Sequence, residues 1–124
     1  MTASPKTGAN TLTGEGLAAA LHTSSGKPVT PADPAAPGEV ISLFLTGLGA
    51  TRAGSDGLAV ALEQPLVRIA DRPCDVLYAG RAPALPGVDQ INCRLAPELD
   101  GKAGAVRVHV ISGNRTGAAD LAVR

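Results

Sequence analysis

The side chains in this chain best suited to chemistry are two cysteines, two histidines and a polar group lying between the cysteines. Cys74 and Cys93 are the only cysteines. They lack any CxxC spacing, and His22 and His109 add no HxxxH, so a metal centre is not indicated. Neither cysteine stands at a helix start or next to a histidine, the settings that activate a thiolate. Two readings stay open: a disulfide, or two buried thiols acting as small hydrophobes. His22 beside a turn and His109 on the polar side of a strand read as surface histidines. Ser24, Ser25, Ser42, Ser55 and Ser112 have no Gly-x-Ser-x-Gly elbow around them. Asp33, Asp56, Asp71, Asp75 and Asp100 are too dispersed to converge five or more oxygens on calcium. Asn114-Arg115-Thr116 has the form of a glycosylation triplet, a pattern that also arises by chance. No catalytic residue, cofactor site or metal site is expected.

The polar group near the loop at 79–88 is the other candidate. Arg81, Asp89, Gln90 and Asn92 flank a stretch long for a hairpin, and long loops on rigid scaffolds often bind ligands. The competing reading is that Gln90 and Asn92 satisfy backbone groups left open by the bent loop. Sugar-binding sandwiches usually stack rings on aromatic platforms. Tyr78 and Phe44 are the only candidates here, and both are expected in the core.

These residues must be positioned by short strands. The chain has 124 residues, the size of one domain, and is 44% apolar, enough for a packed core. It carries 15 glycines and 10 prolines, about a fifth of the chain, which implies many short elements joined by tight turns. Acidic and basic residues balance at 11 each and are scattered. No basic stripe suggests nucleic acid, and no apolar run is long enough to insert in a membrane.

Residues 1–14 show no periodicity and read as a flexible lead or linker, with the domain spanning 15–124. Gly16 to His22 is a weak strand, free either to pair at its own sheet edge or to exchange with a like subunit. Pro28, Pro31, Pro34 and Pro37 suit an extended crossover. Val40 to Thr46 is the best strand, ended by Gly47 and Gly49. Leu58 to Leu62 reads as an edge strand, and Leu66 to Ala70 as a half-buried one. Ala105 to Ile111 alternates strictly, with Val106, Val108 and Val110 on one face. Gly113-Asn114 is a tight-turn signal, and Leu121 to Val123 closes the domain. Seven to eight short antiparallel strands without a helical pattern predict an all-β, immunoglobulin-like sandwich.

A hairpin register opposing Tyr78 to Asp89 also opposes Val76 to Ile91 and Cys74 to Cys93. Directly opposite residues are close enough for a cross-strand disulfide after modest adjustment. Such a bridge implies an oxidising compartment.

The run Pro37-Gly38-Glu39-Val40-Ile41-Ser42-Leu43-Phe44-Leu45-Thr46-Gly47-Leu48-Gly49 resembles the start of the uncharacterised Solibacter-type C-terminal domain of acidobacterial secreted proteins. The similarity continues through Val76-Leu77-Tyr78-Ala79-Gly80, Ala82-Pro83, Pro86-Gly87, Gln90-Ile91-Asn92 and the Pro97 and Gly101 region, covering about 16–124. It implies an immunoglobulin-like fold at the end of a long extracellular or cell-surface protein, and supplies no catalytic residues. Met1 to Lys6 lacks the apolar core of a signal peptide. The chain is therefore expected to be cytosolic or a piece of a longer secreted protein, and the cysteines and the resemblance favour the second. The expected role is non-enzymatic: structure, adhesion or assembly with neighbouring domains or like subunits. The alternative is a polysaccharide-binding module using 79–92.

Overall fold

The computed structural model describes residues 13–54, 58–83, 85–99 and 101–124, and these contain strands and no helix. Eleven strands run in order: β1 Thr13–Leu17, β2 Ala20–His22, β3 Val40–Leu45, β4 Thr51–Ala53, β5 Ala59–Ala61, β6 Leu66–Ile69, β7 Arg72–Pro73, β8 Asp75–Arg81, β9 Asp89–Arg94, β10 Gly104–Ser112 and β11 Arg115–Val123. They form a five-stranded sheet in the order β1-β11-β10-β6-β7. A six-stranded sheet has the order β2-β3-β9-β8-β5-β4.

One apolar cluster draws on both sheets. Ile41, Leu43 and Leu45 of β3 and Ile91 and Cys93 of β9 belong to it, with Val67 and Ile69 of β6, Val106, Val108 and Val110 of β10, and Leu121 of β11. Period-two alternation puts these side chains on one face of each strand, and their burial is the main force joining the layers. The expected faces of β6 and β10 are observed, with Arg68, Arg107 and His109 outward. Phe44 and Tyr78 are only half-buried, so the expectation that they fill the core is corrected. The core is aliphatic because both rings lie on positions that β3 and the bulged β8 turn away from its centre.

Several boundaries differ from those read in the sequence. Eleven strands replace seven to eight, because three-residue strands such as β4 pair through backbone without a hydrophobic pattern. The pairing is not wholly antiparallel: β1 runs parallel to β11. Strand β5 is flanked by β8 and β4, so it is not at the edge. Strand β1 begins at Thr13, within the stretch read as a lead, and residues 1–12 of that lead lie outside the described residues.

The weak strand at Gly16 to His22 divides between the layers. β1 joins the last strand of one sheet, then β2 pairs antiparallel with β3 of the other. Ala18 N donates to Asp120 O at 2.7 Å and Phe44 N donates to Ala19 O at 2.9 Å, so the sheet change occurs at two small buried residues. The proline-rich crossover follows the same side. Ala35, fully buried, receives a bond from Arg124 N and gives one to Ala122 O, each 2.9 Å.

Candidate functional site

The exits of β3 and β8 and the turn between β10 and β11 meet at one end of the molecule. Leu45 at the end of β3 opposes Asp89, which also opposes Arg81 on the other side of β9. This central position leaves the Asp89 side chain only 3% exposed. A buried carboxylate needs donors. Asp89 accepts Leu48 N at 3.0 Å and Arg81 Nη1 at 2.7 Å. Gly47, at φ 95°, turns the chain so that Leu48 N faces it. Arg115 Nη1 holds the neighbouring Gly47 O at 2.9 Å. The exit of β3 is thus fastened from two strands.

Of the four polar residues expected at this loop, Arg81 and Asp89 are brought together. Gln90 and Asn92 form a separate pair, Gln90 Nε2 donating to Asn92 Oδ1 at 2.9 Å. Alternation along β9 buries Asp89, Ile91 and Cys93 and turns Gln90 and Asn92 to the other face. The four residues thus form two internally bonded pairs. The amides bond to each other, where backbone partners were the competing expectation.

The hairpin register is also corrected. Asp75 opposes Arg94 and Val76 opposes Cys93, whereas Tyr78 opposes Asn92 and Arg81 opposes Asp89. Leu77 is the extra residue of a bulge, which shifts the pairing and flips the alternation beyond it. Tyr78 donates to Arg81 O at 2.6 Å across the bent segment.

Cys74 therefore does not oppose Cys93 on adjacent strands. It sits in the corner where the chain leaves the five-stranded sheet after β7 and enters the six-stranded sheet at β8, with Cys74 N bonded to Val67 O at 2.9 Å. Both cysteines are free thiols, Cys93 buried and Cys74 half-buried. They are within hydrogen-bonding reach of each other, and the neighbouring Cys74 sulfur, followed by burial, pushes the Cys93 thiol far above its ordinary range. A thiol so placed is a poor nucleophile and a good core residue.

His22 is the residue that the sequence reading misplaced. It is buried, 7% exposed, and both ring nitrogens are engaged. Nδ1 pairs with the Glu39 carboxylate; Nε2 bonds to Asp33 O at 2.9 Å and lies 3.3 Å from Asp33 Oδ2. Glu39 Oε1 accepts Ala36 N at 2.9 Å. Burial pulls the imidazole pKa down, but the Glu39 hydrogen bond, the Asp33 carbonyl and the two carboxylate charges outweigh it, and the net shift is upward. The ring clasps the crossover to β2. His109 is exposed as expected.

Asp56 and Asp100, among the dispersed carboxylates, lie outside the described residues. Among the described residues no group of three or more His, Cys, Asp or Glu is arranged to hold a metal ion. No family model matches the chain, and no curated protein or solved structure shows significant similarity to it.

Proposed function

We propose that this chain is a non-enzymatic, extracellular immunoglobulin-like module, serving structure, adhesion or assembly in a longer secreted or cell-surface protein. The observation that carries the reading is the use made of its buried ionisable groups. Asp89 fastens the exit of β3, and His22 fastens the proline-rich crossover. Each ties a loop to a strand, which is work for a scaffold. The strand order supports the immunoglobulin-like part. β2, β3, β9 and β8 follow the A, B, E, D order of one sheet of that fold, and β11, β10 and β6 follow the G, F, C order of the other. The β4–β5 hairpin is an addition at the D edge. The resemblance over 16–124 to the Solibacter-type domains agrees with an extracellular setting.

Labelling intact cells of the source organism with a membrane-impermeant amine reagent tests the location. Labelling of the chain is expected, and protection until lysis would overturn the extracellular reading. Sedimentation of the full chain and of a chain lacking residues 1–23 tests assembly by strand exchange. An oligomer lost on deletion supports exchange. Unchanged size with an intact fold removes it, leaving the edge pairing of β1 and β2 within one chain.

A further inference from the structure

A cavity of about 360 Å³ opens at the same end of the molecule, beside the fastened exit of β3. Three loops wall it: Leu48 to Ala50 after β3, Leu62 and Glu63 after β5, and Ser112 to Arg115 at the β10–β11 turn. Its polar groups contrast with Asp89 and His22, whose partners lie within the fold. Ser112 is 6% exposed and continues the inward face of Val106, Val108 and Val110, yet its hydroxyl has no partner among the described residues. Neither the Glu63 carboxylate nor the Asn114 amide is bonded to a described side chain or backbone group. Arg115 spends one guanidinium nitrogen on Gly47 O and keeps further donors. Gly113, at φ 61°, makes the arrangement possible. A Cβ there would stand 2.6 Å from Glu63 Oε2, so the bare glycine lets the carboxylate rest against the turn.

We infer that this cavity binds a neutral sugar residue. Glu63 and Arg115 balance in charge, which disfavours an ionic ligand of either sign. Glu63 accepts, Arg115 donates, and Ser112 and Asn114 do both. Sugar hydroxyls also donate and accept, so vicinal hydroxyls match this alternation. Leu62, 57% exposed, supplies apolar surface for the C–H side of a ring in place of an aromatic platform. The volume falls at the small end of the roughly 300–1,000 Å³ of ligand pockets, which suits one sugar residue of a larger glycan. The inference goes beyond the scaffold role, which needs no such cavity, and it relocates sugar recognition from 79–92 to the three loops.

The test is an NMR titration of the amide-labelled full chain with methyl glycosides of glucose, mannose, galactose and N-acetylglucosamine, and with soluble glucan, mannan and chitin oligosaccharides. For at least one sugar, the amides of Gly49, Leu62, Gly113 and Arg115 should shift in a saturable manner. Glu63→Gln should weaken that binding by about tenfold or more, the loss expected for a bond to a charged acceptor. Ser112→Ala, which breaks no bond within the fold, should weaken it by about fivefold. Three results overturn the inference: no saturable shift with any sugar, saturable shifts confined to amides away from the cavity, or an affinity in both variants equal to that of the unaltered chain. Cell-surface labelling is independent of all three, so the scaffold reading stands or falls separately.

Discussion

Replacing Asp89 tests whether the fastened exit of β3 is a structural tie. Its carboxylate is almost fully buried and takes two donors, Leu48 N at 3.0 Å and Arg81 Nη1 at 2.7 Å. Asp89→Ala removes a bond to a charged acceptor and leaves Leu48 N, on a buried residue, without its partner. Together these cost about 2–3 kcal/mol. The Arg81 side chain is 51% exposed and can return to water, so the ion pair adds only about 0–1 kcal/mol. The expected total is about 3 kcal/mol, a large share of the roughly 5–15 kcal/mol that holds a domain. The melting temperature should fall by roughly 12 °C. Asp89→Asn keeps an acceptor for Leu48 N and should cost about 1 kcal/mol. Arg81→Ala strands a buried charge beside open solvent and should cost about 2 kcal/mol. The measurement is urea unfolding followed by circular dichroism, since the chain has no tryptophan. Two results would refute the reasoning: a cost below about 1 kcal/mol for Asp89→Ala, or equal costs for Asp89→Ala and Asp89→Asn.

Other regions give equally direct expectations. The folded state favours charged His22, so its stabilisation is complete below about pH 6.5 and is lost as pH rises through the raised folded-state pKa. Urea midpoints should therefore fall between mildly acidic and mildly alkaline pH, with Asp33, Glu39, Lys27 and Arg124 the charged groups around the ring, and His22→Gln should remove that fall. Mild oxidation should join Cys74 to Cys93 within one molecule and raise the unfolding free energy by about 3 kcal/mol through loop closure; dimers, or two thiols surviving by non-reducing mass spectrometry, would contradict this. Gly80→Ala places a Cβ 2.2 Å from Ala59 O and 2.8 Å from Val60 Cα, both backbone. Strand β5 must move off β8, and thermal melts should show a loss of about 2–3 kcal/mol; a neutral substitution would mean that the pairing yields easily.

The long apolar strands were legible in the sequence because their pattern is local. Val106, Val108 and Val110 announce the inward face of β10, and Gly113-Asn114 announces the turn into β11, which takes two residues between Ser112 and Arg115. The β6–β7 turn was hidden. Ala70 and Asp71 both adopt positive φ, 54° and 63°, in a position where Asn-Gly would have been the signal. The bulge at Leu77 was equally silent, since one extra residue changes no composition, yet it decides that Arg81 and not Gly80 meets Asp89. His22 was misread because its partners Asp33 and Glu39 are 11 and 17 residues away, in a crossover whose path only the packed sheets define. The cysteines were expected to meet across a hairpin. They meet at a corner between sheets, which no strand pattern describes. The cavity beside the exit of β3 joins three loops distant in sequence, and its most buried polar residue, Ser112, looks like the ordinary end of a strand.

The parallel pairing of β1 with β11 has a mechanical consequence. The chain enters β1 beside Ala118 and leaves β11 at Val123, so its two ends emerge from opposite ends of one ladder. Tension applied between them slides the strands lengthwise, and the bonds are loaded together instead of opening one after another. The Ala18 N to Asp120 O bond and the two bonds of Ala35 to the end of β11 lie across this line of pull. A domain strung in a longer chain would then resist stretching through a shear clamp built from its first and last strands, while the hairpins behind it carry little load.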